Sequence, residues 1–273
     1  MKYKLPKRKD IRVVILTSDN IRHCWVANII SEHLNTVLIV TENKPKIYSD
    51  MMEKSQIINR HFRTNSLYEE LYFGNTRTFP NVPVLSMPRG SINKEDVVAY
   101  VKKQNPDLIL LYGTSILKEI WFETFKRDVV NMHLGLSPYY RGSSTNFWPM
   151  YYREPEYVGV TIHVATADVD AGDIICQIRP DIKISDTLYD INMDTIKQGT
   201  YAFLNGSIAY HDGRKSISQR ALYNGDERIC KKRDLTEDAI LKVFENFNSG
   251  MVLDYINNYN TFTEKVKIVP LSK

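Results

Sequence analysis

The sequence predicts an α/β fold: a mostly parallel sheet with helices on both faces, followed by a small C-terminal α+β extension. Three observations carry this. Short apolar runs at 13–16, 37–40 and 108–112 read as strands buried on both faces. Between the first two, Trp25, Ile29, Ile30 and Leu34 recur at helical spacing, giving a strand–helix–strand unit with a right-handed crossover. After about residue 185 the pattern changes to one long helical segment, closely spaced turn signals and a second helical segment.

The elements follow in order. Residues 45–78 are polar, charged and Tyr-rich, as expected of surface helices or an excursion from the core. Residues 82–85 form a weak strand. Ser91 or Asn93 is expected to cap a helix with Glu95 and Asp96 in its first turn, where carboxylates suit the positive helix end. Val97, Val98 and Val101 give that helix a buried face, and Asn105-Pro106 stops it. Residues 129–132 form another strand. Val158, Val160, Ile162 and Val164 alternate with Gly159, Thr161 and His163, which predicts a strand with one buried face. Residues 174–178 add a further strand. A helix over 188–204 is expected to end at Asn205-Gly206. Turn signals at His211-Asp212-Gly213 and Asn224-Gly225 predict short antiparallel strands, and 238–247 reads as a helix. The expected plan is a core over 1–185 and an extension of helix, hairpin and helix over 186–273.

Composition narrows the function. Of 273 residues, 43% are apolar and 25% charged, which excludes wholesale disorder. Lys plus Arg is 36 against 32 for Asp plus Glu, and this net charge of +4 is too mild to argue for a nucleic-acid partner. Cys24, Cys176 and Cys230 lie far apart with no CxxC, so neither a disulfide framework nor a cysteine zinc site is expected, and no metal is called for. The apolar stretch 11–17 is broken by Arg12 and ends in Ser18-Asp19-Asn20, too short for a signal-peptide core or a membrane span. A soluble cytoplasmic protein without a membrane partner is expected.

In open α/β sheets, ligands bind beyond the carboxyl ends of the strands. Those ends carry Ser18 to His23, Gly113-Thr114-Ser115, and Asn131-Met132-His133. The first loop has no GxGxxG and no GxxxxGK[ST], so a dinucleotide or P-loop reading lacks its main support. Arg22 and His23 either meet an anionic substrate at a helix N-terminus or belong to a solvated loop. Asn131 and His133 lie two apart at a strand end, so both side chains face one side. A Gly/Pro/Ser-rich loop follows: Leu134-Gly135-Leu136-Ser137-Pro138-Tyr139-Tyr140-Arg141-Gly142-Ser143-Ser144. Further on come Gly159-Val160-Thr161-Ile162-His163 and Ala167-Asp168-Val169-Asp170-Ala171-Gly172-Asp173. Taken singly, these are more often structural residues, turns and caps.

Taken together, Asn-x-His, the Leu-x-Pro loop with a Gly four residues on, Gly-x-Thr, and Asp-x-Gly-Asp resemble the folate-dependent formyltransferases. That family includes the glycinamide ribonucleotide, methionyl-tRNA and amino-sugar enzymes. The resemblance is clear over 105–180 and topological over 11–40. It implies the formyltransferase fold, a Rossmann-like sheet, and an enzyme that moves a formyl group from N10-formyltetrahydrofolate to an amine. Asn131 and His133 would stabilise a tetrahedral oxyanion, and Asp170 would hold the imidazole and relay a proton. Tyr112, Gly113, Ile116 and Leu117 on one loop, with Ala165, Thr166 and Asp168 on another, would bind the pterin and formyl end. Arg22, His23, Ser137, Pro138 and Gly142 would border the acceptor. His163 reads as a structural or positioning residue, Asp173 as the partner of a nearby cation or of backbone N–H groups, and Phe147 and Trp148 first as helix packing, with Trp and Tyr side chains also able to stack on a base or sugar. One departure lies beside the acceptor: many relatives carry His-x-Ser-Leu-Leu-Pro where this chain has His133-Leu134-Gly135-Leu136-Ser137-Pro138.

Length weighs among acceptors. About 90 residues follow Ser185, fewer than the C-terminal barrel of the tRNA enzymes needs. The Gly-rich phosphate loop of the glycinamide ribonucleotide enzymes and the regulatory domain of the formyltetrahydrofolate hydrolases have no counterpart in the sequence. A nucleotide-linked amino sugar is the first expectation and a hydroxyornithine-type amine the second; a non-catalytic scaffold is the competing class. Residues 210–258 read equally as a homodimer interface or as a segment packed back on the core.

Overall fold

The computed structural model describes residues 5–43, 53, 55–74, 77–223 and 225–271. The elements that position the site run β1 (Arg8–Ser18), α1 (Ile21–His33), β2 (Leu34–Asn43), α2 (Gln56–Phe73), β3 (Val84–Pro88), α3 (Glu95–Lys103), β4 (Leu108–Leu111), α4 (Glu119–Phe125), β5 (Val129–His133), β6 (Tyr140–Gly142), β7 (Val160–Val164), β8 (Ile174–Ile178), α5 (Leu188–His211), α6 (Gln219–Leu222), β9 (Arg228–Cys230), α7 (Glu237–Asn248) and α8 (Met251–Asn257).

Seven strands form one sheet in the order β3-β2-β1-β4-β5-β7-β8. The first five are parallel; β7 and β8 run antiparallel to their neighbours. Strand order reverses between β1 and β4, so the loops leaving β1, β4 and β5 meet around one crevice. One face of the sheet packs Ile15, Leu110, Val130 and Ile162 under α1 and α5. The other packs Val14, Leu16, Ile109 and Val129 against Val97, Val101, Trp121 and Phe125 of α3 and α4. A third apolar cluster joins Leu136, Tyr140 and Trp148 to Leu235, Ile240 and Val243, so the C-terminal helices cover the loop that follows β5.

Several expectations are corrected. Lys94, not Ser91 or Asn93, precedes α3 and offers it no side-chain cap. Asn93 instead accepts from the Lys118 N–H and donates to the Ile116 carbonyl. Every side chain of β7 is buried, because α5 covers Val160, Ile162 and Val164 on one face, while the Gly135–Ser137 loop covers Thr161 and Asn131 and Asp170 cover His163 on the other. Leu34 begins β2 rather than closing α1. Helix α5 runs through Asn205-Gly206 to His211; Asn205 bonds back to the Tyr201 carbonyl, and Gly206 is the point where the helix approaches the Cys176 sulfur. Residues 210–233 form no hairpin among the described residues. Ile217 bridges to Ile174, and β9 pairs in parallel with β6. Asn224 of the expected turn, and residues 45–52, 54 and 75–76 of the expected excursion, lie outside the described residues.

Candidate active site

The carboxyl ends of β1, β4 and β5 open into a cleft of about 1360 Å³. Its floor is built by β5 and β7. Antiparallel register sets Asn131 opposite His163, and their side chains meet with the Asn131 Nδ2 2.9 Å from the His163 Nε2. The His163 Nδ1 lies 3.0 Å from the Val164 carbonyl. A carbonyl only accepts, so Nδ1 carries the ring proton, and Nε2 accepts from Asn131. That bond fixes the amide and uses one of its two N–H groups.

Asp170 arrives from the loop between β7 and β8. Its Oδ2 is 3.2 Å from the His133 Nδ1, and its Oδ1 is 3.8 Å from the His163 Nε2. The Gly142 N–H donates to the same Oδ2 at 3.2 Å. Asp170 sits at φ +53°, a left-handed conformation that costs a non-glycine residue about 1–2 kcal/mol. The other His133 nitrogen, Nε2, is 3.2 Å from the Tyr140 carbonyl. Asn131, His133, His163 and Asp170 all line the cleft.

Electrostatics divide the roles. Burial lowers the His133 pKa, opposed by Asp170, so the ring is neutral at neutral pH and able to accept a proton. Burial works to raise the Asp170 pKa, but His133, His163 and the Gly142 N–H outweigh it and hold the carboxyl well below its ordinary value.

The other expected residues divide. Tyr112, Gly113, Ile116 and Leu117 line one wall; Ala165 and Thr166 line another, and Gly142 borders the cleft. Gly113 has φ +85°, and a Cβ there would stand 2.1 Å from the His23 Nε2, so this loop can lie on the His23 ring only as glycine. Ile116 and Val169 are 66% and 42% exposed, apolar surface facing the cleft without cover. Arg22 and His23 line the cleft as well, but Arg22 is ion-paired with Glu69 of α2 and His23 packs on Tyr112 at 4.7 Å. An anionic substrate would have to compete with Glu69 for Arg22.

Ser137 and Pro138 are not among the lining residues. Ser137 is fully buried, its N–H given to Thr161 and its carbonyl accepting from Gln177. Asp168 is also off the cleft; its carbonyl closes a turn with Thr166 and Ala171. Asp173 pairs with Arg127 at 2.9 Å. Phe147 is buried yet lines the cleft, beside His61 and Phe62.

Sequence reasoning missed Glu42. This buried residue at the end of β2 accepts from the Gly90 N–H at 2.7 Å, the Ile92 N–H at 3.2 Å and the Ser115 N–H at 2.8 Å, and also from the Ser115 hydroxyl. With Asn93 it fixes the loop that carries Gly113 to Leu117. A glutamate at a parallel strand's carboxyl end was the available signal.

Comparison with known proteins agrees with this architecture. The model of the formyl transferase family matches residues 11–205. The methionyl-tRNA formyltransferase of Borrelia recurrentis is 31% identical over 173 residues, 60% of this chain and 52% of that protein. That of Borrelia hermsii is 25% identical over 142 residues, 49% of this chain and 46% of its own. The matches thus span about half the length of these two relatives. Among solved structures, the phosphoribosylglycinamide formyltransferase of Anaplasma phagocytophilum superposes with TM-score 0.54 at 16% identity, covering 81% of this chain and 98% of its own. A candidate sugar N-formyltransferase of Mycobacterium tuberculosis gives TM-score 0.50 at 18% identity over 86% and 87% of the two chains. With the family model spanning most of its length, this chain belongs to the formyl transferase family.

Proposed function

We propose that the protein transfers a formyl group from N10-formyltetrahydrofolate, the donor that members of its family use, to the primary amine of a small substrate, first of all a nucleotide-linked amino sugar. The observation that carries this is the constellation of Asn131, His133, His163 and Asp170 on the cleft floor. Asn131, held by His163, keeps one N–H for an oxyanion; one such donor is worth about 3–4 kcal/mol. Neutral His133 accepts the proton leaving the amine and passes it on to the N10 nitrogen as the C–N bond to the donor breaks, and ionised Asp170 pairs with the imidazolium formed between the two steps.

The residues present suit the donor. The uncovered apolar surface of Val169, and of Ile116 on the same loop as Gly113, suits a flat bicyclic ring whose polar edge meets backbone groups of that loop. The donor supplies an activated formyl carbon; orienting it falls to the Tyr112–Leu117 and Ala165–Asp170 loops.

For the acceptor, the cleft is also lined by Phe62, Asn59, Asn65 and Ser66 of α2, with Phe147 packed beside them on His61. Aromatic and amide side chains suit a base and sugar hydroxyls better than a long phosphate backbone. The test is release of tetrahydrofolate with a panel of nucleotide-linked amino sugars, hydroxyornithine, glycinamide ribonucleotide and methionyl-tRNA. Release with an amino sugar, abolished in Asn131→Ala, is expected. Release with methionyl-tRNA alone would overturn the acceptor, and release with none would favour a scaffold.

A further inference from the structure

We propose that Gln219, in the segment after the long helix, is a positioning residue that holds the catalytic Asp170 turn. The inference rests on the reading above, in which Asp170 orients His133.

Asp170 holds a costly conformation, and its own turn closes only through a long bond, from the Ala171 N–H to the Asp168 carbonyl at 3.3 Å. The clamps come from elsewhere. The buried Gln219 side chain donates from one nitrogen to two carbonyls, that of Asp170 at 2.7 Å and that of Gly172 at 2.8 Å. These carbonyls bracket the turn, so one amide ties down both ends. Gln219 is itself fixed by the reciprocal backbone bridge between Ile217 and Ile174, at 2.7 and 2.8 Å. On the other side, Arg141 donates twice to the Val169 carbonyl, at 3.2 and 2.6 Å, and is steered by Glu227 at 2.5 Å.

The same segment supports the site from a third direction. Strand β9 pairs with β6, and β6 supplies both the Gly142 N–H on Asp170 and the Tyr140 carbonyl facing His133. At φ +96° a Cβ on Gly142 would stand 2.4 Å from the Cys230 carbonyl, so the two strands meet closely at this point. Residues 217–223 and 225–230 thus hold the Asp170 and Gly172 carbonyls, Arg141 and β6 around the His133–Asp170 pair, and none of them lines the cleft. An apolar residue at 219 would fill the space and take this donor from the buried Gly172 carbonyl and the part-buried Asp170 carbonyl, while the turn would lose the bonds that offset its strain.

The test reads the imidazole of His133 by NMR titration in the full chain. Asp170, His163 and Arg141 are the charged or titratable groups acting on that ring. An opposite charge this close raises a histidine pKa by about 1–3 pH units. Asp170→Asn is expected to lower the His133 midpoint by about 1 pH unit or more, and Gln219→Leu to lower it in the same direction by about 0.5 pH unit, with 5-formyltetrahydrofolate affinity within about twofold of wild type. A folded Gln219→Leu protein with the wild-type His133 titration would overturn the proposal. Should Gln219→Leu not fold, Gln219→Asn replaces it, its amide one methylene too short to reach both carbonyls: a smaller shift of the same sign supports the clamp, and none rejects it. If Asp170→Asn itself leaves His133 unchanged, the underlying reading of the site fails, which separates the two failures.

Discussion

At the scale of single residues, the site works by division of labour between an amide that cannot ionise and an imidazole–carboxylate pair that can. Asn131→Ala removes the oxyanion donor, and formyl transfer is expected to fall by about 10²–10³ in kcat with the melting temperature nearly unchanged. Retained turnover would remove Asn131 from the chemistry. Asp170 makes a separate prediction. Its folded-state pKa lies below its unfolded value of about 3.9, so its ionised form stabilises the fold above that value and the stabilisation is lost as pH falls through the folded-state pKa. The melting-temperature gap between wild type and Asp170→Asn should be widest above about pH 5 and close toward about pH 2; a gap that widens on acidification would contradict the assignment. These residues were legible because strand alternation and a local loop fix them. Ser137 was misplaced because sequence does not say which way a loop turns, and Ser137 turns into the protein. Gln219 was invisible because its bonds go to backbone some 50 residues away.

At the scale of elements, the strands were legible because buried parallel strands are nearly continuous apolar runs. Two errors share a cause. Gly206 is a helix breaker by local rule, but close packing of α5 on β8 needs a residue without a side chain there, and tertiary contact overrides propensity. The turn signal at His211-Asp212-Gly213 was a genuine turn, and the described residues beyond it find partners in β8 and β6 rather than in each other. The loop after β4 shows how neighbouring elements set a binding surface: Glu42 and Asn93, from β2 and the turn before α3, hold it at both ends. Glu42→Gln places an amide N–H against backbone N–H donors. With each hydrogen bond to a charged group worth about 1.5–3 kcal/mol, donor affinity measured by calorimetry should weaken at least about tenfold. Unchanged affinity in a folded variant would show that the loop needs no such anchor.

At the scale of the whole molecule, the C-terminal third completes the structure rather than decorating it. Leu235, Ile240, Val243, Met251 and Val266 are buried against the loop that follows β5. Each contributes about 1.5–3 kcal/mol, and the sum is comparable to the about 5–15 kcal/mol by which a domain is stable. A chain ending at His211 is therefore expected to be unfolded or aggregated by circular dichroism and light scattering; a cooperative melt near that of the full chain would refute this coupling. The most direct test of the central claim is calorimetric titration of 5-formyltetrahydrofolate into wild type, Asn131→Ala and Glu42→Gln. The account predicts saturable one-to-one binding to the first two and weakened binding to the third. Absence of binding to wild type at millimolar ligand would contradict it.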